Sequence, residues 1–202
     1  MSLASWLTIV GICVLGAMSP GPSLAVVLKH TLAGGRSKGV AAALAHASGI
    51  GLYALICISG LAFVITASEK LFLVLQWSGA AYLFWLGLKG LLSRAKTDQA
   101  LPEGETCTAA RDGFMIVFLN PKIAVYFIAL FSQVVGTDTT LLAKTAYAST
   151  AMVIDGGWYL IVAWLFSNPR WLSSLQQQAV WLERIFGVVL IGLASRLAWE
   201  IV

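Results

Sequence analysis

Apolar residues run in long blocks along this chain, and polar residues gather between the blocks instead of alternating with them. A helix needs about 20 predominantly apolar residues to cross the hydrocarbon core of a bilayer. Six blocks reach that length, over roughly 3–28, 39–66, 70–92, 113–135, 142–167 and 180–200. The pattern predicts about six transmembrane helices and an all-α integral membrane protein. A few charges interrupt the blocks: Lys89 in the third, Asp155 in the fifth, and Arg184 and Arg196 near the ends of the sixth. Long side chains at helix ends reach the interface while their stems stay in lipid.

The polar connections predict an orientation. The loop 29–38 holds Lys29, Arg36 and Lys38. The loop 93–112 holds Arg94, Lys96 and Arg111 beside four carboxylates, and the stretch 167–179 adds Arg170. The alternate connections carry only Lys70 and Lys144. Basic loops stay in the cytoplasm, so six helices put these three loops inside and both termini outside. Trp6, Trp77, Trp158, Trp164, Trp171, Trp181 and Trp199 lie mostly near block ends, as an interfacial aromatic belt requires. Met1 to Ala4 carry no positive side chain, and the first block runs on to Ser19-Pro20. It reads as a first helix, not a cleavable signal.

Composition agrees. Of 202 residues 59% are hydrophobic and 11% charged, and the mean hydropathy is +0.86. Soluble domains carry about 25% charged residues, so lipid is the solvent here and one membrane domain is expected. The net charge of +4 forms no basic face outside the loops, which excludes nucleic acid as a partner. Cys13, Cys57 and Cys107 show no C-x-x-C spacing, and two of them read as small core fillers. His30 and His46 are the only histidines, too few for a multi-His metal site. No hydrolase motif, P-loop or cofactor fingerprint is present.

The two halves echo each other. Ser19-Pro20 in the first block parallels Asn120-Pro121 in the fourth. Gly51-x-Tyr53-x-Leu55-Ile56 in the second parallels Gly157-x-Tyr159-x-Ile161-Val162 in the fifth. Repeats of three helices enter the membrane in opposite senses, the inverted repeat of many secondary transporters. The expected organisation is a repeat over about 1–92, a cytoplasmic loop over about 93–112 and a second repeat over about 113–202.

Four polar features sit at membrane depth. Ser19-Pro20-Gly21-Pro22 removes backbone donors and unwinds its helix. In lipid, the freed groups are tolerated only against protein or a wet cavity. Asn120-Pro121-Lys122 breaks the fourth block, and Lys122 is a charge costing at least about 2.5 kcal/mol at that depth. Its cation can hold a carboxylate, either Asp155 or that of a substrate. Asp155 is the one acid deep in a block, followed by Gly156 and Gly157, which let another helix approach. Burial disfavours its ionised form and a nearby cation favours it, a balance suited to carrying a proton. His46 either titrates or serves as a neutral interhelical hydrogen-bonding group. Gly39, Ala43, Ala47 and Gly51, four residues apart, predict a tightly packed face on the second helix.

Three motifs carry a family resemblance. The first helix ends in Met18-Ser19-Pro20-Gly21-Pro22. The third contains Gly79-Ala80-Ala81-Tyr82-Leu83-Phe84-Trp85-Leu86-Gly87. The fourth runs from Gly113-Phe114 to Leu119-Asn120-Pro121-Lys122. In this order, over nearly the whole length, the chain resembles the LysE/RhtB family of amino-acid exporters. Asp155 with Trp158 is similar to an acid and a Trp in the fifth helix of threonine-exporter-like members. Ser23, His46 and Phe131-Ser132-Gln133 depart from the family's usual residues, which bears on the substrate. The resemblance implies a bacterial inner-membrane secondary transporter, not an enzyme, that exports amino acids or close derivatives by proton-coupled antiport. It implies no cofactor and is compatible with a homo-oligomer. On that reading Ser19, Pro20, Gly21, Pro22, Asn120, Pro121 and Lys122 bind a zwitterion. Asp155 and His46 take its ammonium or a proton. Two alternatives remain open: export of a metal cation, which wants more buried carboxylates or thiolates, and a membrane-embedded enzyme built on a serine–His46 pair.

Overall fold

The computed structural model describes residues 3–92, 108–136, 139–167 and 169–201. Among them are seven helices and no strand: α1 (Leu3–Met18), α2 (Pro22–Ala67), α3 (Glu69–Leu91), α4 (Ala109–Leu119), α5 (Pro121–Phe131), α6 (Leu141–Leu165) and α7 (Pro169–Ile201). Arg94, Lys96 and Cys107 fall outside the described residues, as do the side chains of Arg170 and Trp171. Among the described helices α2, α3 and α6 are long and apolar enough to cross a membrane. A fourth span results if α4 and α5, bent by 57° at their junction, are taken as one.

Both predicted breaks are present. Residues 19–21 separate α1 from α2, and Asn120 separates α4 from α5. Each following helix opens on a proline, whose missing N–H costs nothing at a first helical position. Asn120 caps α5, its side-chain oxygen accepting from the Lys122 backbone N–H at 3.1 Å.

Two expected loops are shorter than their polarity suggested. Residues 29–38 are helical apart from Gly35, whose φ of 77° and ψ of 177° break α2. Thr31 and Gly39 would stand about 12 Å apart on a continuous helix. Here a Cβ on Gly39 would lie 3.0 Å from Thr31 Cβ. The chain therefore doubles back at Gly35, and α2 is a hairpin with a first arm to residue 34 and a second arm from 36. Likewise α7 begins at Pro169 within the expected 167–179 connection. Polar residues hid both helical segments, because hydropathy marks where lipid lies and not where a helix ends.

The small-residue face packs as expected. Gly39 meets Thr31 and Ala163, Gly51 meets Met152, and Ala47 meets Gly156. Gly113 presses α4 onto α2, where a side chain would run into the Ala42 carbonyl. The larger core joins Ile9, Ile58, Leu83, Val117, Phe131 and Leu190, and a smaller one joins Leu24, Val27, Ala42, Tyr159 and Val162. Phe63, Leu119, Leu142, Val153 and Trp199 face outward, while His46 and Asp155 are buried. Apolar surface around a partly polar centre suits a protein whose solvent is lipid.

Candidate functional site

The two breaks meet. Lys122 Nζ, at the start of α5, donates to Ser19 Oγ at the end of α1. Beside it, Asn120 Nδ2 lies 3.5 Å from Ser23 Oγ in the first turn of α2. Breaks 101 residues apart in sequence, Pro20 and Pro121, are thus stitched side chain to side chain. Sequence reasoning reached Ser19, Asn120 and Lys122 through their helix-breaking neighbours. Ser23 lies just past the break, in the first turn of α2, and appeared only as a departure from the family.

A cavity of about 60 Å³ opens beside this junction. Ser19, Gly21, Asn120, Lys122, His46 and Asp155 all line it. Pro20, Pro22 and Pro121 do not; they shape the backbone that presents their neighbours. Cys13, Gly16, Ser23, Tyr126, Tyr159 and Phe186 also belong to the wall. Tyr126 follows Lys122 by one turn, so the two share a helix face. Its hydroxyl donates to the Ile12 carbonyl of α1, and its ring fills the space a side chain on Gly16 would need. No sequence signal pointed to Phe186, which arrives from α7.

The charges pair differently from one expectation. Lys122 does not hold Asp155. Its close contacts are the Ser19 hydroxyl and the face of Phe186, whose ring centroid is 4.6 Å from Nζ. Glu183, one turn before Phe186, and Lys89 act on its charge in opposite senses. Asp155 is joined instead to His46, with Nδ1 and Oδ2 2.7 Å apart. The pair is buried, with His46 1% and Asp155 8% exposed. With the carboxylate ionised, and so an acceptor only, the bond is Nδ1–H donating to Oδ2. Nε2 is then the bare nitrogen, and it has no hydrogen-bond partner among the described residues. Tyr159 stands edge-on to the imidazole at 4.9 Å. The second glycine after Asp155 also differs from expectation: Gly156 packs on Ala47, but Gly157 has open space around it.

A second His–Asp pair was not anticipated. His30 Nε2 on the first arm of α2 lies 3.0 Å from Asp112 Oδ2 in the first turn of α4. Thr108 Oγ1 donates to the same oxygen at 3.1 Å. His30 is fully buried, and neither it nor Asp112 is among the residues lining the cavity.

The arrangement offers an ammonium side chain, two hydroxyls and an amide at the junction of the breaks, and a carboxylate–imidazole pair elsewhere in the same cavity. It can hold a small molecule bearing both an anionic and a cationic group. The family model described as LysE type translocator matches residues 14–200. The threonine efflux protein of Escherichia coli K12 is 26% identical over 201 residues, covering 96% of this chain and 98% of that protein. The leucine efflux protein of Enterobacter sp. strain 638 is 28% identical, covering 96% and 94%. No solved structure matches.

Proposed function

This chain belongs to the LysE type translocator family, and we propose that it exports an amino acid or a close derivative across the bacterial inner membrane in exchange for protons. As a member of a translocator family it is a transporter and not an enzyme. Relatives named threonine and leucine efflux proteins, matched over nearly their whole length, support the cargo class. The observation that carries the reading is the shared cavity, in which Lys122 and Asp155, a cation and a carboxylate, both face one space.

In the proposed architecture there are six spans in two inverted repeats, about 1–92 and about 113–202, joined by a cytoplasmic loop over about 93–112. α1 with the first arm of α2 makes the first span, the second arm the second, and α3 the third. α4 with α5, then α6, then α7 make the rest. The reversal at Gly35 and the bend at Asn120 support this division. Basic loops face the cytoplasm and both termini the outside.

Within the cavity, Lys122 takes the substrate carboxylate, displacing the Ser19 hydroxyl. Asn120 and the backbone around Ser19, Gly21 and the flanking prolines supply further polar contacts. Asp155, beside His46, takes the ammonium. The cavity has room for about four waters at 15 Å³ each, a scale that suits the ammonium–carbon–carboxylate end common to amino acids. An efflux assay in a strain sensitised to intracellular amino acids tests this. Lys122→Ala and Asp155→Asn are expected to abolish efflux at normal expression. Unchanged efflux in both variants refutes the mechanism.

A further inference from the structure

We propose that the substrate's ammonium group and a proton on His46 compete for the single carboxylate of Asp155, and that this exclusion couples export to proton uptake. The inference rests on the transporter reading above and adds how its two cargoes exclude each other.

Asp155 Oδ2 already holds His46 Nδ1 at 2.7 Å. With a neutral imidazole the carboxylate keeps its negative charge and can accept an ammonium as well. Once Nε2 takes a proton, the carboxylate faces an imidazolium. Two unit charges about 4 Å apart interact by about 4 kcal/mol even at an effective dielectric of 20. A third cation entering the cavity then meets a neutralised acid and a positive ring, so it leaves. The proton has a place to land: with Nδ1–H given to Asp155, Nε2 carries none, and it is buried without a hydrogen-bond partner among the described residues, while His46 lines the cavity.

The other titratable groups around this space put no second carboxylate in the cavity wall: Glu183 on α7 and Lys89 on α3 act on Lys122 but are not among the lining residues. From α6 Tyr159 contacts the ring, from α1 Cys13 lines the wall, and from α5 Lys122 and Tyr126 do so. Asp155 is the one acid among the lining residues. The cycle balances. A proton from the acidic side adds to Nε2 and the ammonium departs there. The proton leaves Nε2 on the alkaline side, and Asp155 accepts the next ammonium. One proton enters per zwitterion exported, so one positive charge moves inward per turn. Substrate binds best where protons are scarce, which is the cytoplasmic face of an energised membrane.

The test uses the purified full-length protein in detergent with L-threonine, or whichever standard amino acid a binding panel selects. Kd is measured from about pH 5 to pH 9, spanning the range in which histidine side chains titrate. Proton release on binding is read with an indicator in weak buffer. Wild-type affinity is expected to fall as pH falls, by up to tenfold per unit over part of that range, with about one proton released per ligand on the falling limb. His46→Gln keeps a hydrogen-bonding side chain but cannot carry the proton, and whatever affinity it retains is expected to lose the fall toward acid pH, with no release there. A wild-type profile that is flat, or a His46→Gln profile with the wild-type slope, overturns the inference. The wild-type profile needs no variant, so a poorly folding His46→Gln leaves that arm decisive. Binding that Lys122→Ala weakens but pH does not alter would leave the transporter reading standing and this coupling refuted. No amino acid binding wild type at any pH would refute both.

Discussion

Gly156 and Gly157 are neighbours in α6, yet a methyl group added to each meets different surroundings. A Cβ on Gly156 would lie 2.9 Å from Ala47 Cβ on α2, closer than two carbons approach. A Cβ on Gly157 meets nothing within 4 Å. Both substitutions to alanine gain the same helix propensity, about 1 kcal/mol, so it cancels when the variants are compared. What remains is the overpacking cost at Gly156, about 1–3 kcal/mol. In a chain of this length each kcal/mol moves Tm by about 2–4 °C, so Gly156→Ala should melt roughly 2–12 °C below Gly157→Ala. Ala47 follows His46 and Gly156 follows Asp155, so the strain falls beside the His46–Asp155 bond. Gly156→Ala is therefore expected to lose transport as well as stability. Adding Ala47→Gly removes the opposing methyl and should restore both. The measurement is thermal unfolding in detergent with efflux alongside. Equal Tm values for the two single variants, or no recovery in the double variant, would refute the close approach of α6 to α2.

Two further outcomes follow from the breaks. Gly35→Ala forces a side chain into a positive-φ, extended-ψ conformation open essentially only to glycine, with no packing relief, and is expected to cost about 1–3 kcal/mol, read as a lower Tm. Asn120→Ala removes the cap of α5 and the contact to Ser23, costing about 1 kcal/mol in stability; Asn120→Asp keeps the capping oxygen, so equal losses in the two variants would refute the capping role.

The membrane class was legible because the apolar blocks are long and the charges few. Pro20 and Pro121 were legible as breaks because proline chemistry is local. Lys122 and Asp155 stood out because a charge inside an apolar block needs a reason. Partners were not legible. Lys122 is one helical turn from Tyr126 and could be assigned a face, but which helix that face meets depends on crossings that one sequence does not encode locally. The same limit hid Phe186, which reaches the cavity from α7, and Asp112, which reaches His30 across 82 residues. The reversal at Gly35 was missed for another reason. Glycine with a left-handed φ needs only one residue to turn a helix, and the flanking lysines and arginine made ten residues look like loop.

On the proposed function, the exchange of partners changes what the site can do. Had Lys122 held Asp155, the cavity would contain an internally satisfied ion pair, and a zwitterion would have to break a buried salt bridge to bind. Here each charge is held by a group that can yield. Ser19 offers Lys122 a neutral hydroxyl, which a carboxylate outcompetes because bonds to a charged acceptor are about twice as strong. His46 offers Asp155 an imidazole nitrogen at 2.7 Å. Both poles are thus kept solvated by protein in the absence of substrate, without being locked. A buried charge with a replaceable neutral partner lets a binding site empty and refill, which a transporter must do on every turn and a structural ion pair never does.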